Sequence, residues 1–290
     1  MEGINICFYG LNRSLLTTHG AIEDLIINPC KSLCSNTTIY ASFNKPKNNK
    51  IYSKRSQEFG TSMSSGDPSK LLAGASINYI DQDEFDATFD FDEIISYGDF
   101  FNDYEAKTPE CGAAGSIVNQ LRALNSLRKS YLSIPAARRR KYPTFFVRPD
   151  LTIIEPLDID LILNLCSLGN SCVVPSWHHW YGVNDRFAAC SAGKASESYA
   201  LRLNYLPSFL IASDTVFHPE RYLYSILSIR NITILPVIDS RFIRVRSGER
   251  FHKEPWGNVE KMPSRAMNAS WGRLIEALYT ERDKYKSTEQ

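Results

Sequence analysis

Ile4-Asn5-Ile6-Cys7-Phe8-Tyr9-Gly10 is the stretch on which the fold turns. An apolar run of this length closed by glycine suits a central parallel strand, whose two faces are both covered. Behind Ser14 as N-cap, Leu15, Leu16, His19, Ile22, Leu25 and Ile26 lay an apolar stripe at helical spacing. Asn28-Pro29 is expected to end that helix, and Thr38 to Phe43 reads as a second strand. Strand, helix, strand opens an α/β nucleotide-binding sheet.

Outward from this unit, residues 44–70 are polar, rich in Gly, Ser and Pro and poorly periodic, and read as an insertion or mobile loop. The acidic stretch Asp81 to Asp92 lacks the glycine of a calcium-binding loop and reads as solvated surface. Ile117, Leu121, Leu124, Leu127 and Tyr131 predict a helix over 112–133. Arg138 to Lys141 reads as a solvated basic turn, which can also meet phosphate or an anionic membrane. Thr144 to Arg148 is a strand stopped by Pro149, Asp158 to Leu165 a helix and Ser171 to Pro175 a strand. Helices over 184–205 and 218–229 and a strand over 231–237 follow. The expected layout is one α/β domain over 1–268, with 44–110 as its variable insertion, and an amphipathic helix and tail over 269–290. In that helix Trp271, Leu274, Ile275, Leu278 and Tyr279 form a stripe that serves either the core or peripheral membrane contact.

The chain has 290 residues, 43% hydrophobic and 22% charged, which excludes collagen-like, coiled-coil and wholly disordered classes. Lys+Arg is 33 against Asp+Glu 32, so a globally basic nucleic-acid binder is not expected, although a local basic patch is allowed. No run approaches the ~20 apolar residues of a membrane span. The acidic start Met1-Glu2-Gly3-Ile4-Asn5 lacks a secretory pattern. Seven cysteines at irregular spacings point to a reducing, cytoplasmic setting, and Cys30-x3-Cys34 has no second pair to complete a zinc site.

In open α/β sheets ligands bind beyond the carboxyl ends of the strands, and three polar clusters fall there. Gly10-Leu11-Asn12-Arg13-Ser14 follows the first strand. Its glycine permits a tight turn, and Arg13 can fork onto a phosphate or simply belong to a helix cap. The ending of a P-loop and the spacing of a dinucleotide fingerprint are both missing. Arg148-Pro149-Asp150 follows a buried strand, where charge is costly without a partner. Asp150 can hold Mg²⁺ or Mn²⁺ against a diphosphate, or pair internally with Arg148. The third cluster runs from Trp177-His178-His179-Trp180-Tyr181-Gly182 to Asn184-Asp185-Arg186. Its aromatic faces can stack on a sugar. Adjacent histidines on a strand point to opposite faces and do not readily share a metal. Asp185 is either a general base or a helix N-cap. Asp158-Ile-Asp160 has a metal-binding look, but it opens a helix where Asp suits the dipole. Glu220 in His218-Pro219-Glu220 suits a helix start as well, or faces the site.

Phe8-Tyr-Gly-Leu-Asn-Arg13, Asn119-Gln120-Leu121, Arg148-Pro-Asp-Leu151, Gly182-Val-Asn-Asp-Arg-Phe-Ala188 and His218-Pro-Glu220-x-x-Leu223 occur in this order over about residues 4–245. Together they resemble the glycosyltransferases related to the WavE lipopolysaccharide-synthesis proteins, found in bacterial polysaccharide clusters and large DNA viruses. The chain departs from that pattern over 44–110 and at Ala189-Cys190. The resemblance implies a GT-A-like fold and a nucleotide-sugar donor, with a UDP-sugar favoured. It also implies a divalent metal (Mn²⁺ or Mg²⁺) and a glycan or lipid-linked acceptor. On this reading Gly10, Asn12, Arg13, Gln120 and Arg148 bind the donor diphosphate, and Asp150 holds the metal. Trp177, His178, Trp180, Arg186 and Glu220 line the sugar and acceptor pocket, and Asp185 is the catalytic base. The competing class is a non-catalytic carbohydrate- or nucleotide-binding module.

Overall fold

The computed structural model of the protein describes residues 2–53, 58–63, 66–97, 116–213 and 217–252. The expected C-terminal amphipathic helix, whether for core or membrane contact, and Cys111 lie outside them. Strand β1 (Ile4–Gly10) leads into α1 (Leu15–Ile22), a π-helical segment (Glu23–Ile27), α2 (Asn28–Leu33) and β2 (Thr37–Lys45). The helical run therefore passes Asn28-Pro29, where the sequence reads an end. The π segment shifts the hydrogen-bond register, so that Pro29 falls in the first turn of α2, where its missing N–H is not needed.

Residues 44–70 are not a featureless loop. They hold a hairpin of β3 (Lys50–Ser53) and β4 (Glu58–Ser62) and the start of the short helix α3 (Pro68–Leu71). Strand β5 (Ser76–Asp81) follows. The acidic stretch then forms α4 (Gln82–Thr88) and α5 (Phe91–Ser96), with Asp81 and Asp90 accepting backbone N–H bonds as caps. Helix α6 (Ser116–Leu132) is the long central helix, and α7 (Ala136–Lys141) carries the basic run. Beyond lie β6 (Thr144–Val147), β7 (Leu151–Ile153), α8 (Ile159–Ser167), β8 (Ser171–Pro175) and β9 (Phe187–Cys190). The chain continues through α9 (Lys194–Ala200), α10 (Leu206–Ala212), α11 (Pro219–Ile229), β10 (Thr233–Ile238), β11 (Phe242–Arg246) and β12 (Arg250–His252).

The main sheet has the order β10-β8-β9-β6-β1-β2-β5 and is parallel except for β9, which runs antiparallel to β6 and β8. This is the mixed, mostly parallel α/β architecture that β1 announces. A helix over 184–205 is corrected: Phe187 to Cys190 is a strand, and the helix starts only at Lys194. The slot between β6 and β8 takes a fully buried apolar run as a strand whatever the local preference of its alanines. Alternation along the strands fills two cores. Cys7, Tyr9 and Phe146 point to the layer of α6, α9, α10 and α11. Ile6, Phe8, Phe145 and Val147 point to the layer of α1, α2 and α8.

Arg138 is not a solvated turn residue. Its guanidinium donates to Asn5 Oδ1 at 3.0 Å, Asn36 Oδ1 at 2.7 Å, and the carbonyls of Ile4 and Asn36 at 3.2 and 3.1 Å. It thus clamps the starts of β1 and β2. Arg138→Ala is expected to cost about 1–3 kcal/mol, read from urea unfolding, because it leaves the acceptors of the buried Asn5 and Ile4 without this donor.

Candidate active site

Sequence order in the sheet reverses at β1. The chain builds β2 and β5 on one side and returns to place β6 on the other. Such a reversal opens a crevice beyond the carboxyl ends of the two strands. Here the turn after β1 and the turn after β6 line one cleft, together with α6 and the N-terminus of α11. Gly10 has φ +99°, a conformation that favours glycine. Its N–H donates to Ser126 Oγ at 2.7 Å, which fixes the turn to α6.

The cleft is organised round Asp150, which is 2% exposed. Arg148 grips it with two bonds, Nε to Oδ1 and Nη2 to Oδ2, both at 2.9 Å. Arg13 Nη2 donates to Oδ2 at 2.9 Å, and Arg246 Nη1 reaches the same oxygen at 3.4 Å. Arg13 Nη1 donates in turn to Glu58 Oε2 at 2.7 Å. Glu58, wholly buried, accepts the Ser247 N–H on its other oxygen at 3.0 Å. Burial pushes the Asp150 carboxyl up, but Arg148 and then Arg13 outweigh it and hold the group at about 2.

A divalent ion needs carboxylate oxygens to spare. Both oxygens of Asp150 accept guanidinium N–H, and no group of three or more His, Cys, Asp or Glu among the described residues is arranged to hold an ion. The residues at this position do not fit a metal. Asp158, the other acidic candidate, accepts the Leu161 N–H at 2.9 Å as the cap of α8.

Asp185 also lines the cleft and is half-buried. It precedes β9 and is no helix cap. Tyr9 and Tyr199 donate their hydroxyls to its backbone carbonyl at 3.1 and 3.2 Å. Its position is therefore fixed through the main chain, and no side-chain hydrogen bond among the described residues occupies its carboxylate. Arg148 and Arg202 lie within electrostatic reach of it.

Of the other residues singled out in the sequence, Gly10, Arg13, Gln120, Arg148, Arg186 and Glu220 line the cleft. Asn12 is buried in its turn and does not line it. Glu220 pairs with His218 Nδ1 at 2.9 Å. Burial opposes its charge, but His218 and Arg186 bring its carboxyl well below the usual range.

The aromatic pocket does not form as read. Trp177 is a core residue, 3% exposed, with Nε1 donating to the Ser240 carbonyl at 3.1 Å and its ring edge-on to Phe242. His178 is buried and accepts from the Trp180 indole. Trp180 itself is half-buried and tilts on His218. Neither tryptophan nor His178 lines the cleft. His179 Nδ1 accepts the Asn184 N–H at 3.3 Å, and burial lowers the pKa of its ring, which suits a neutral structural histidine. Gly182 packs against the backbone of Glu220 so closely that a Cβ would sit 2.1 Å from its carbonyl carbon.

Sequence reading missed Glu58, Arg202, Arg244 and Arg246. The signal for the last two was present: Arg244-Val-Arg246 has the two-residue spacing that puts both guanidiniums on one face of a strand.

No protein-family profile matches the chain, and no curated protein matches it in sequence. Among solved structures, mouse xyloside xylosyltransferase 1 in its apo form is similar at a TM-score of 0.40 and 7% identity, over 81% of this chain and 84% of that one. No helix of the described residues is long and apolar enough to cross a membrane.

Asp150 supplies a pH test. Its folded carboxyl titrates below the unfolded value of ~3.9, so its contribution is complete above that value and is lost as pH falls through about 2. Asp150→Asn should be clearly less stable than the parent at pH 6. The gap should close as pH falls from ~4 toward ~2, followed by tryptophan fluorescence in a denaturant series at each pH.

Proposed function

We propose that the protein is a glycosyltransferase that moves a sugar from a nucleoside-diphosphate donor to a hydroxyl of a glycan or lipid-linked acceptor. The observation that carries this reading is one cleft at the β1/β6 crevice that joins a cluster of arginines to a half-buried carboxylate whose oxygens take no side-chain hydrogen bond among the described residues. The resemblance of the short motifs to those of the WavE-related transferases points the same way, and a UDP-sugar is the favoured donor.

Sugar transfer needs a clamp on the leaving diphosphate and an oriented acceptor. Arg148 at the cleft wall meets the diphosphate, and the Gly10 turn leaves its backbone open to close approach. Asp185 takes the proton of the acceptor hydroxyl as that oxygen forms a bond to the anomeric carbon. The bond from that carbon to the phosphate oxygen breaks, and its electron pair leaves with the nucleoside diphosphate. This direct displacement inverts the anomeric centre. Guanidinium N–H groups stabilise the charge that grows on the leaving oxygen.

A general base contributes typically ~10²–10⁴-fold in rate. Asp185→Asn should lower kcat by about that range and leave donor binding nearly unchanged. Trp177→Ala should instead act on folding, lowering stability by about 3–5 kcal/mol as a core truncation. Transfer rates from radiolabelled nucleotide sugars, with NMR of the anomeric product, check the first. A retained configuration, or an Asp185→Asn enzyme of full kcat, would sink the assigned role.

A further inference from the structure

The cleft walls carry seven arginines against three carboxylates, Asp150, Asp185 and Glu220. Adding Glu58 and Asp86, which pair with Arg13 and Arg122 from outside the lining, still leaves an excess of two positive charges. That excess matches the two to three negative charges of a diphosphate. A divalent ion used for this purpose would be held by one or two carboxylates with oxygens to spare, and those of Asp150 are taken by guanidiniums.

The arginines divide into two sets. Arg13 spends both terminal nitrogens on Glu58 and Asp150, so it is a buttress. Arg148 binds Asp150 through Nε and Nη2 and keeps Nη1 without a protein partner among the described residues. Arg246 has one long bond to Asp150, from Nη1 at 3.4 Å, and keeps Nε and Nη2 without a protein partner among the described residues. Arg244, two residues earlier on β11, also lines the cleft.

We infer that this cleft binds a diphosphate without a metal ion, through Arg148 and the β11 arginines, and that Asp150 is the positioning residue that aims them. This rests on the transferase reading for the identity of the donor but not for the clamp itself. A planar guanidinium held by a carboxylate on one edge presents its other edge to phosphate oxygens in a fixed direction. The side chain read in the sequence as the metal ligand thus does the metal's work indirectly.

The probes are inorganic pyrophosphate and UDP, titrated calorimetrically against the full chain in EDTA and again in Mn²⁺. The expected result is binding of equal affinity in both buffers, weakened about tenfold by Arg246→Gln. Arg246 makes the longest bond of the cluster, so that variant should keep the unliganded melting temperature of the parent. Asp150→Asn should melt lower than the parent without ligand, and saturating pyrophosphate in EDTA should recover part of that loss, since an anion then replaces the carboxylate among the arginines. Binding of UDP only in Mn²⁺ would overturn the metal-free clamp and leave the transferase reading standing. Pyrophosphate binding in EDTA, with no nucleotide sugar bound or consumed, would keep the clamp and remove the transferase. An Asp150→Asn chain as stable as the parent, or no binding of either probe in either buffer, would overturn the inference.

Discussion

The ion pairs of Asp150 are the constraint on which the cleft depends. A carboxylate taken out of water costs several kcal/mol unless its oxygens are met, and here they are met by Arg13, Arg148 and Arg246. Those residues come from the turn after β1, the turn after β6 and strand β11. The backbone repeats the link, because the Val245 N–H donates to the Asp150 carbonyl at 2.8 Å. Ser14 Oγ donates to the Val245 carbonyl at 2.7 Å, and Thr18 Oγ1 to the Pro149 carbonyl at 2.6 Å. Three segments distant in sequence, Arg13 lying 137 residues and Arg246 lying 96 residues from Asp150, are thereby brought to one point. Only with all three in place is there a wall for a ligand to meet.

The sheet decides where that point lies. Parallel strands end their carboxyl edges on the same side, so the turns after β1 and β6 meet only because those strands are neighbours. The antiparallel β9 then delivers a different kind of residue. Its chain enters from the carboxyl edge, so Asp185, just before Phe187, arrives at the cleft from the opposite direction to the turns. Tyr9 at the end of β1 and Tyr199 on α9 close on its carbonyl. Main-chain anchoring leaves the carboxylate with no side-chain hydrogen bond among the described residues, as the proposed proton acceptor requires.

The fold was legible where a strand is buried on both faces. Ile4 to Gly10 and Thr144 to Val147 carry their burial in their composition, and helix α6 carries its period of apolar residues. The strand β9 was not legible, since Phe-Ala-Ala-Cys suits a helix locally and only the slot between β6 and β8 makes it extended. The hairpin of β3 and β4 hid in a polar stretch because its key residue, Glu58, is polar and is stabilised by Arg13, 45 residues away in sequence. In the site, the turns after β1 and β6 were legible as charge following an apolar run. The roles were less so. An aromatic cluster looks alike whether it faces a sugar or a core, and Trp177 is held inside by Phe242 and the Ser240 carbonyl, partners that no local pattern specifies.

The two aspartates of the cleft show how environment assigns work to the same side chain. Asp150 is enclosed by guanidiniums that keep it ionised to about pH 2, so it cannot exchange a proton in the range where proteins function. Asp185 stands half-buried at the cleft, with Arg148 and Arg202 within electrostatic reach and no side-chain hydrogen bond to its carboxylate among the described residues. A carboxylate locked among cations can only orient them, whereas one left partly solvated beside them can accept a proton. Arg148 joins the two roles, because it holds Asp150 directly and feels Asp185 through space.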